Sequence, residues 1–87
     1  MGIDTHYMKQ AGLSAGQQID VLNINNGQRF TTYVIEEPEG SQTFGIYGAA
    51  ARLAQIGDVV IIIAYAQMTP EEAQAYQPKI VLLNPQK

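Results

Sequence analysis

The chain has 87 residues, no cysteine, 46% hydrophobic but only 15% charged side chains, and a formal net charge of −3. Five basic residues, Lys9, Arg29, Arg52, Lys79 and Lys87, are too few and too scattered to neutralise a phosphate backbone, which argues against nucleic acid as a partner. Without cysteine there is no disulfide, thiolate nucleophile or zinc-thiolate site, and the single His6 cannot build a multi-histidine metal site.

The length suits one domain over residues 1–87 that buries a modest share of its surface alone. So much apolar composition on so small a body predicts contact with further subunits. In chain order, Asp4 is placed to cap a short helix through "THYMKQA", and Gly12 to end it where a left-handed residue is cheap. His6 reads as a helix residue with no carboxylate or nucleophile motif beside it. "QIDVLNI", from Gln18, mostly alternates apolar and polar residues and reads as a strand. "NNGQ" then predicts a tight hairpin with positive φ at both central residues, returning through "RFTTYVIE" as one antiparallel strand.

"EPEGS", Glu37 to Ser41, is a loop broken by Pro38 and Gly40. "TFGIY" is a short strand and "GAAARLA" a single helical turn. "IGDVVIIIAYAQM" reads as the longest and most buried strand. Its most apolar window, Val59 to Ala66, is far shorter than the ~18 residues of a spanning helix. "TPEEAQAY" is a helix with Thr69 at the cap, Pro70 in the first position and Glu71 and Glu72 in the first turn. Pro78 stops it, and "KIVLL" is expected as a last strand. This inventory of short strands with a few helical turns predicts a mainly β fold, a small β-barrel, rather than a doubly wound sheet. No basic n-region followed by an apolar run opens the chain, so cytoplasm is the expectation.

Alternation along "RFTTYV" puts Arg29, Thr31 and Tyr33 on one face and Phe30, Thr32 and Val34 on the other. Arginine offers two parallel donors to a carboxylate, and Tyr33 adds a phenolic acid. "GAAA" opening a turn can expose backbone N–H groups to an anion. On pattern alone, Arg29 reads first as a strand-edge charge, Tyr33 as a half-buried packing residue and "GAAA" as a closely packed turn.

Taken together, "NGQRFTTY", "GAAARLAQIGDVVIIIAYA" and the "EEA…Y…PKIVLL" ending resemble the large (α) chain of the bacterial pyruvoyl-dependent L-aspartate 1-decarboxylases, from Ile3 to about Leu83. The resemblance implies a double-psi β-barrel, a cytoplasmic homotetramer with sites between subunits, and conversion of L-aspartate to β-alanine and CO2 for pantothenate synthesis. The reaction it implies runs through a Schiff base on a pyruvoyl group, without metal. Carried over residue by residue, it assigns substrate-carboxylate binding to Arg29, proton donation to Tyr33 and cofactor formation to Thr32. Thr32, Gly48, Ala49 and Ala50 would line the substrate site.

The sequence departs from that pattern in two places. The family makes its pyruvoyl group from a serine in a Gly-Ser bond ahead of the segment matching Ile3, and a small N-terminal β chain precedes it; here Met1-Gly2-Ile3 stands first. The Gly40-Ser41 pair lies in a loop that the family does not process. Tyr47 stands where the family has asparagine before Gly-Ala-Ala, exchanging an amide for a bulkier phenol. Two alternatives to the enzyme stay open at this point. One is a catalytically silent or truncated barrel, structural or small-acid-binding; the other is a subunit that assembles with a separate N-terminal strand.

Overall fold

A computed structural model describes residues 1–83. In chain order the elements are β1 (Gly2–Asp4), α1 (Thr5–Ala11), β2 (Gln18–Asn23), β3 (Arg29–Tyr33), β4 (Ile35–Glu37), β5 (Phe44–Gly45), a 3-10 helix (Gly48–Leu53), β6 (Val60–Ile63) and α2 (Pro70–Ala75). The mainly β architecture expected from the sequence is present as two three-stranded sheets, ordered β4-β1-β5 and β3-β2-β6. Strand β1 runs parallel to β4 and antiparallel to β5; β2 is antiparallel to both its neighbours.

Both sheets and α1 contribute to one core. Met1 and Ile3, Met8, Ile19 and Val21, Phe30 and Val34 are all buried. On β2 the buried face is Ile19, Val21 and Asn23, so its third inward position is polar, while Ile24 lies 60% exposed beyond the strand.

Helix α1 forms as expected. Asp4 accepts from the His6 N–H at 2.9 Å, and Gly12 ends the helix at φ 73°. Helix α2 carries a full capping box, in which Thr69 accepts from the Glu72 N–H and Glu72 from the Thr69 N–H.

Four expectations are corrected. The hairpin at "NNGQ" exists, with Leu22 opposite Arg29, but its turn is longer than the two-residue type: Gly27 N–H donates to the Asn23 carbonyl and Asn23 N–H to the Gln28 carbonyl. Only Gly27 there has positive φ, because Asn26 is tied by its side chain instead. "RFTTYVIE" is not one strand. Val34 breaks it, leaving β2 by bonding Gln17 and Gly16 while Ile35 N–H donates to the Met1 carbonyl, so the chain crosses from one sheet to the other.

The strand expected to be longest and most buried is the four-residue β6. It occupies an outer place beside β2, and Ile61 is 46% exposed. Finally, residues 79–83 form no strand, and Ile80 and Leu82 are 79% and 76% exposed. An apolar run becomes a strand only where a partner edge receives its N–H and C=O groups.

Candidate active site

Register rather than proximity in sequence builds this site. Strand β3 pairs Tyr33 with Gln18 at one end and Arg29 with Leu22 at the other, which separates the two side chains by about 13 Å along the strand. Phe30 and Val34 turn inward with Thr32, whereas Arg29, Thr31 and Tyr33 face outward, Tyr33 being 57% exposed.

At the Tyr33 end sits the first residue of β1's lead-in. The Met1 amino nitrogen donates to the Tyr33 carbonyl at 2.6 Å and lies 3.5 Å from Thr32 Oγ1. The contact joins positions more than thirty residues apart, and it exists because Ile35 N–H holds the Met1 carbonyl on the next rung. Partial burial lowers the pKa of that amine by disfavouring its charged form.

At the other end, Arg29 Nη2 donates to Tyr65 Oη at 3.0 Å and Nε lies 3.5 Å from Asp20 Oδ2. Asp20 Oδ1 also accepts from Thr31 Oγ1 at 2.8 Å. A guanidinium has five donors, so these two engagements orient the fork and leave capacity for an incoming carboxylate.

The Gly48–Ala50 turn opens the 3-10 helix. Gly48 has φ 70°, a conformation that glycine adopts at no steric cost, and a methyl built on it would meet nothing within 4 Å. Ala50 and Leu53 pack on the core. The far end of the helix is gripped by the hairpin loop: Asn23 Nδ2 and Asn26 Nδ2 both donate to the Leu53 carbonyl at 3.1 Å. Asn23 Nδ2 donates also to Asp58 Oδ2 at 2.7 Å, which in turn accepts from Gln55 N–H. Those bonds, the Asn23 amide foremost, hold the Asp58 carboxyl below the usual range against the opposing effect of burial.

The near end is fixed by Tyr47. Its hydroxyl donates to Glu37 Oε2 at 2.6 Å. That bond, then burial, then the carboxylate charge push the phenol pKa up.

Thus the chain brings Thr32, the Tyr33 backbone and the Met1 nitrogen together, and sets Arg29 on the outward face with Asp20 and Tyr65. Arg29 borders one shallow cleft of about 360 Å³ with Leu22, Gln28 and Ile61; its partners Asp20 and Tyr65 line a second of about 290 Å³. Gly48, Ala49 and Ala50 line neither of these two clefts. Asp20, Tyr65, Glu37 and the Asn23–Asp58 pair are site-shaping residues that sequence reasoning missed. Asp20 carried a signal, since hairpin register places it opposite Thr31; Tyr65 and Glu37 are joined to the site only by tertiary contacts.

The description of the family whose model matches, over residues 1–87, is aspartate decarboxylase. A protein named aspartate 1-decarboxylase from Maricaulis maris (strain MCS10) is 58% identical over 84 residues, covering 97% of this chain and 69% of its own. One of the same name from Caulobacter vibrioides is 51% identical, with 97% and 71% covered. Another from Thermoanaerobacter pseudethanolicus is 51% identical, with 94% and 70% covered.

Proposed function

We propose a decarboxylase role for this chain from one premise: it belongs to the aspartate decarboxylase family. Its reaction is release of CO2 from L-aspartate to leave β-alanine, a step of pantothenate synthesis, and residues 1–87 act as one domain corresponding to the larger, α chain. The observation that carries the reading is the seat of the Met1 nitrogen between Thr32 Oγ1 and the Tyr33 carbonyl.

Those residues fit a pyruvoyl group carried on that nitrogen. An acylated nitrogen keeps one N–H, and the Tyr33 carbonyl already accepts from this atom at 2.6 Å, with the Thr32 hydroxyl alongside. Bound there, the group supplies a carbonyl that takes up the substrate amine and the electron pair left by departing CO2. Thr32 would assist formation of the group from a serine preceding Met1 and would orient it. Arg29, with its fork oriented by Asp20 and Tyr65, binds the substrate carboxylate that is retained. Tyr33 holds the proton that the product carbon takes, and Gly48, Ala49 and Ala50 line the substrate position.

Two facts support assembly with further chain. The relatives extend beyond the matched region, this chain spanning about 70% of their length. Arg29 also sits on the outward face of β3, away from Thr32, so a site that uses both is completed by a second copy. We therefore read the protein as part of a homotetramer, joined by an N-terminal β chain. No helix among the described residues is long and apolar enough to cross a membrane, and the reading places the protein in the cytoplasm.

The test is β-alanine release from L-aspartate by the purified protein, beside its intact mass. Arg29→Lys is expected to raise KM by roughly 10-fold or more through loss of a bidentate charged pair. Tyr33→Phe is expected to lower kcat by about 10²-fold or more with KM little changed. An unmodified mass with no product would refute the enzymatic reading and leave a barrel that binds small acids.

A further inference from the structure

The strip beneath Tyr47 points beyond that reading. In the pairing of β1 with β5, Gly2 lies directly opposite Gly45. A methyl built on Gly45 would stand 2.6 Å from the Tyr47 hydroxyl, and one on Gly2 would overlap the Glu37 carboxylate. Neither glycine has positive φ, unlike six others in the chain, so backbone conformation does not demand glycine at either place. Space does. Two bare positions on neighbouring strands make a floor across which the Tyr47 ring and the Glu37 carboxylate lie and meet at 2.6 Å.

We propose that Glu37 and the Gly2–Gly45 floor hold the Tyr47 ring in a resting place, and that Tyr47 is a specificity-determining side chain that otherwise closes the approach to the Gly48–Ala50 turn. The inference rests on the reading of that turn as part of the substrate site. Tyr47 is the residue immediately before the turn, with extended backbone at φ −118° and ψ 159°. Side chains have several staggered wells, and the observed one lays the ring back over β5 and β1. Since Tyr47 is 52% exposed, burial does not decide which well the ring occupies. The short bond from a phenol to a carboxylate does, being stronger than a bond between neutral groups. Small dicarboxylates enter while the bond holds, and the ring takes their place when it is broken.

The experiment uses the purified chain with succinate, an unreactive dicarboxylate, as probe. NMR follows the Gly48–Ala50 amides on titration and the nuclear Overhauser effects from the Tyr47 ring to the Gly2 and Gly45 α-protons. The wild type should show those ring contacts and bind succinate. Glu37→Ala should lose the contacts and bind about 10-fold more weakly, as a ring occupying the turn nine-tenths of the time requires. Adding Tyr47→Ala to Glu37→Ala should restore the affinity of Tyr47→Ala alone. Weakened binding that the second substitution does not restore would assign the loss to Glu37 itself and overturn the proposal. Ring contacts absent from the wild type, or full affinity in Glu37→Ala, would overturn it too while leaving the site reading intact. A wild-type chain whose turn amides ignore succinate would overturn the site reading, and this inference with it.

Discussion

Asn23→Ala tests how the hairpin loop holds the 3-10 helix that opens at Gly48. Asn23 is 2% exposed and its side chain makes three hydrogen bonds: to the Leu53 carbonyl, to the Asp58 carboxylate and from the Asn25 N–H. A neutral bond contributes about 1 kcal/mol and one to a charged group about 2 kcal/mol. Because Leu53, Asn25 and Asp58 are not buried and regain water when the amide goes, the net loss should be about 2–3 kcal/mol rather than the full sum. For a chain of this size that is a fall of about 10–15 °C in Tm by calorimetry. Amide hydrogen exchange should rise selectively from Gly48 to Gln55, since Asn26 alone then holds the Leu53 carbonyl. A Tm within about 3 °C of wild type, with unchanged exchange across that segment, would refute the view that the loop grips the turn. Asn23→Asp sharpens the test through its pH dependence. It would set a second carboxyl where the amide now lies 2.7 Å from Asp58 Oδ2, so the pair's upper pKa is raised in the folded state. The pair's contribution to stability should therefore be greatest in acid and fall as pH rises from the unfolded carboxyl value through that raised one.

Other outcomes follow from single contacts. Burial alone would raise the Asp4 pKa, but the N–H groups of His6, Gln42 and Gly40, with the charge of His6, outweigh it and hold the carboxyl below its ordinary value. Its stabilisation should be complete above the unfolded value of ~3.9 and disappear as pH falls through the lower folded one, so Asp4→Asn should flatten the acid limb of a Tm–pH curve. An acid limb unchanged in Asp4→Asn would assign acid unfolding to other carboxylates. Thr69→Ala removes the hydroxyl half of the α2 capping box, leaving the backbone N–H bond to the Glu72 carboxylate, and should cost the helix about 1 kcal/mol, seen as faster exchange of the Glu72 and Ala73 amides. Equal exchange rates in the two proteins would show that the Thr69 hydroxyl does not hold α2.

By itself the sequence determined the local elements whose signals are complete within a few residues. Asp4 and Gly12 bound α1, Thr69-Pro70 opens α2, and the Asn-Gly pair marks a hairpin, because capping groups and turn glycines act on backbone groups beside them. The alternation "RFTTYV" likewise assigned Arg29 and Thr32 to opposite faces, since side-chain direction in a strand is set by the pleat. Tertiary structure decided which neighbours those faces meet. It crossed the chain between sheets at Val34, a step that no periodicity encodes, and so brought the Met1 nitrogen to Thr32. It left the apolar "KIVLL" run and β6 short of the burial their composition suggests, because strand formation needs a paired edge and not only β-branched residues. It also joined Glu37 to Tyr47 above two glycines that look unremarkable in the sequence, where only the register of β1 against β5 makes their missing side chains one shared space.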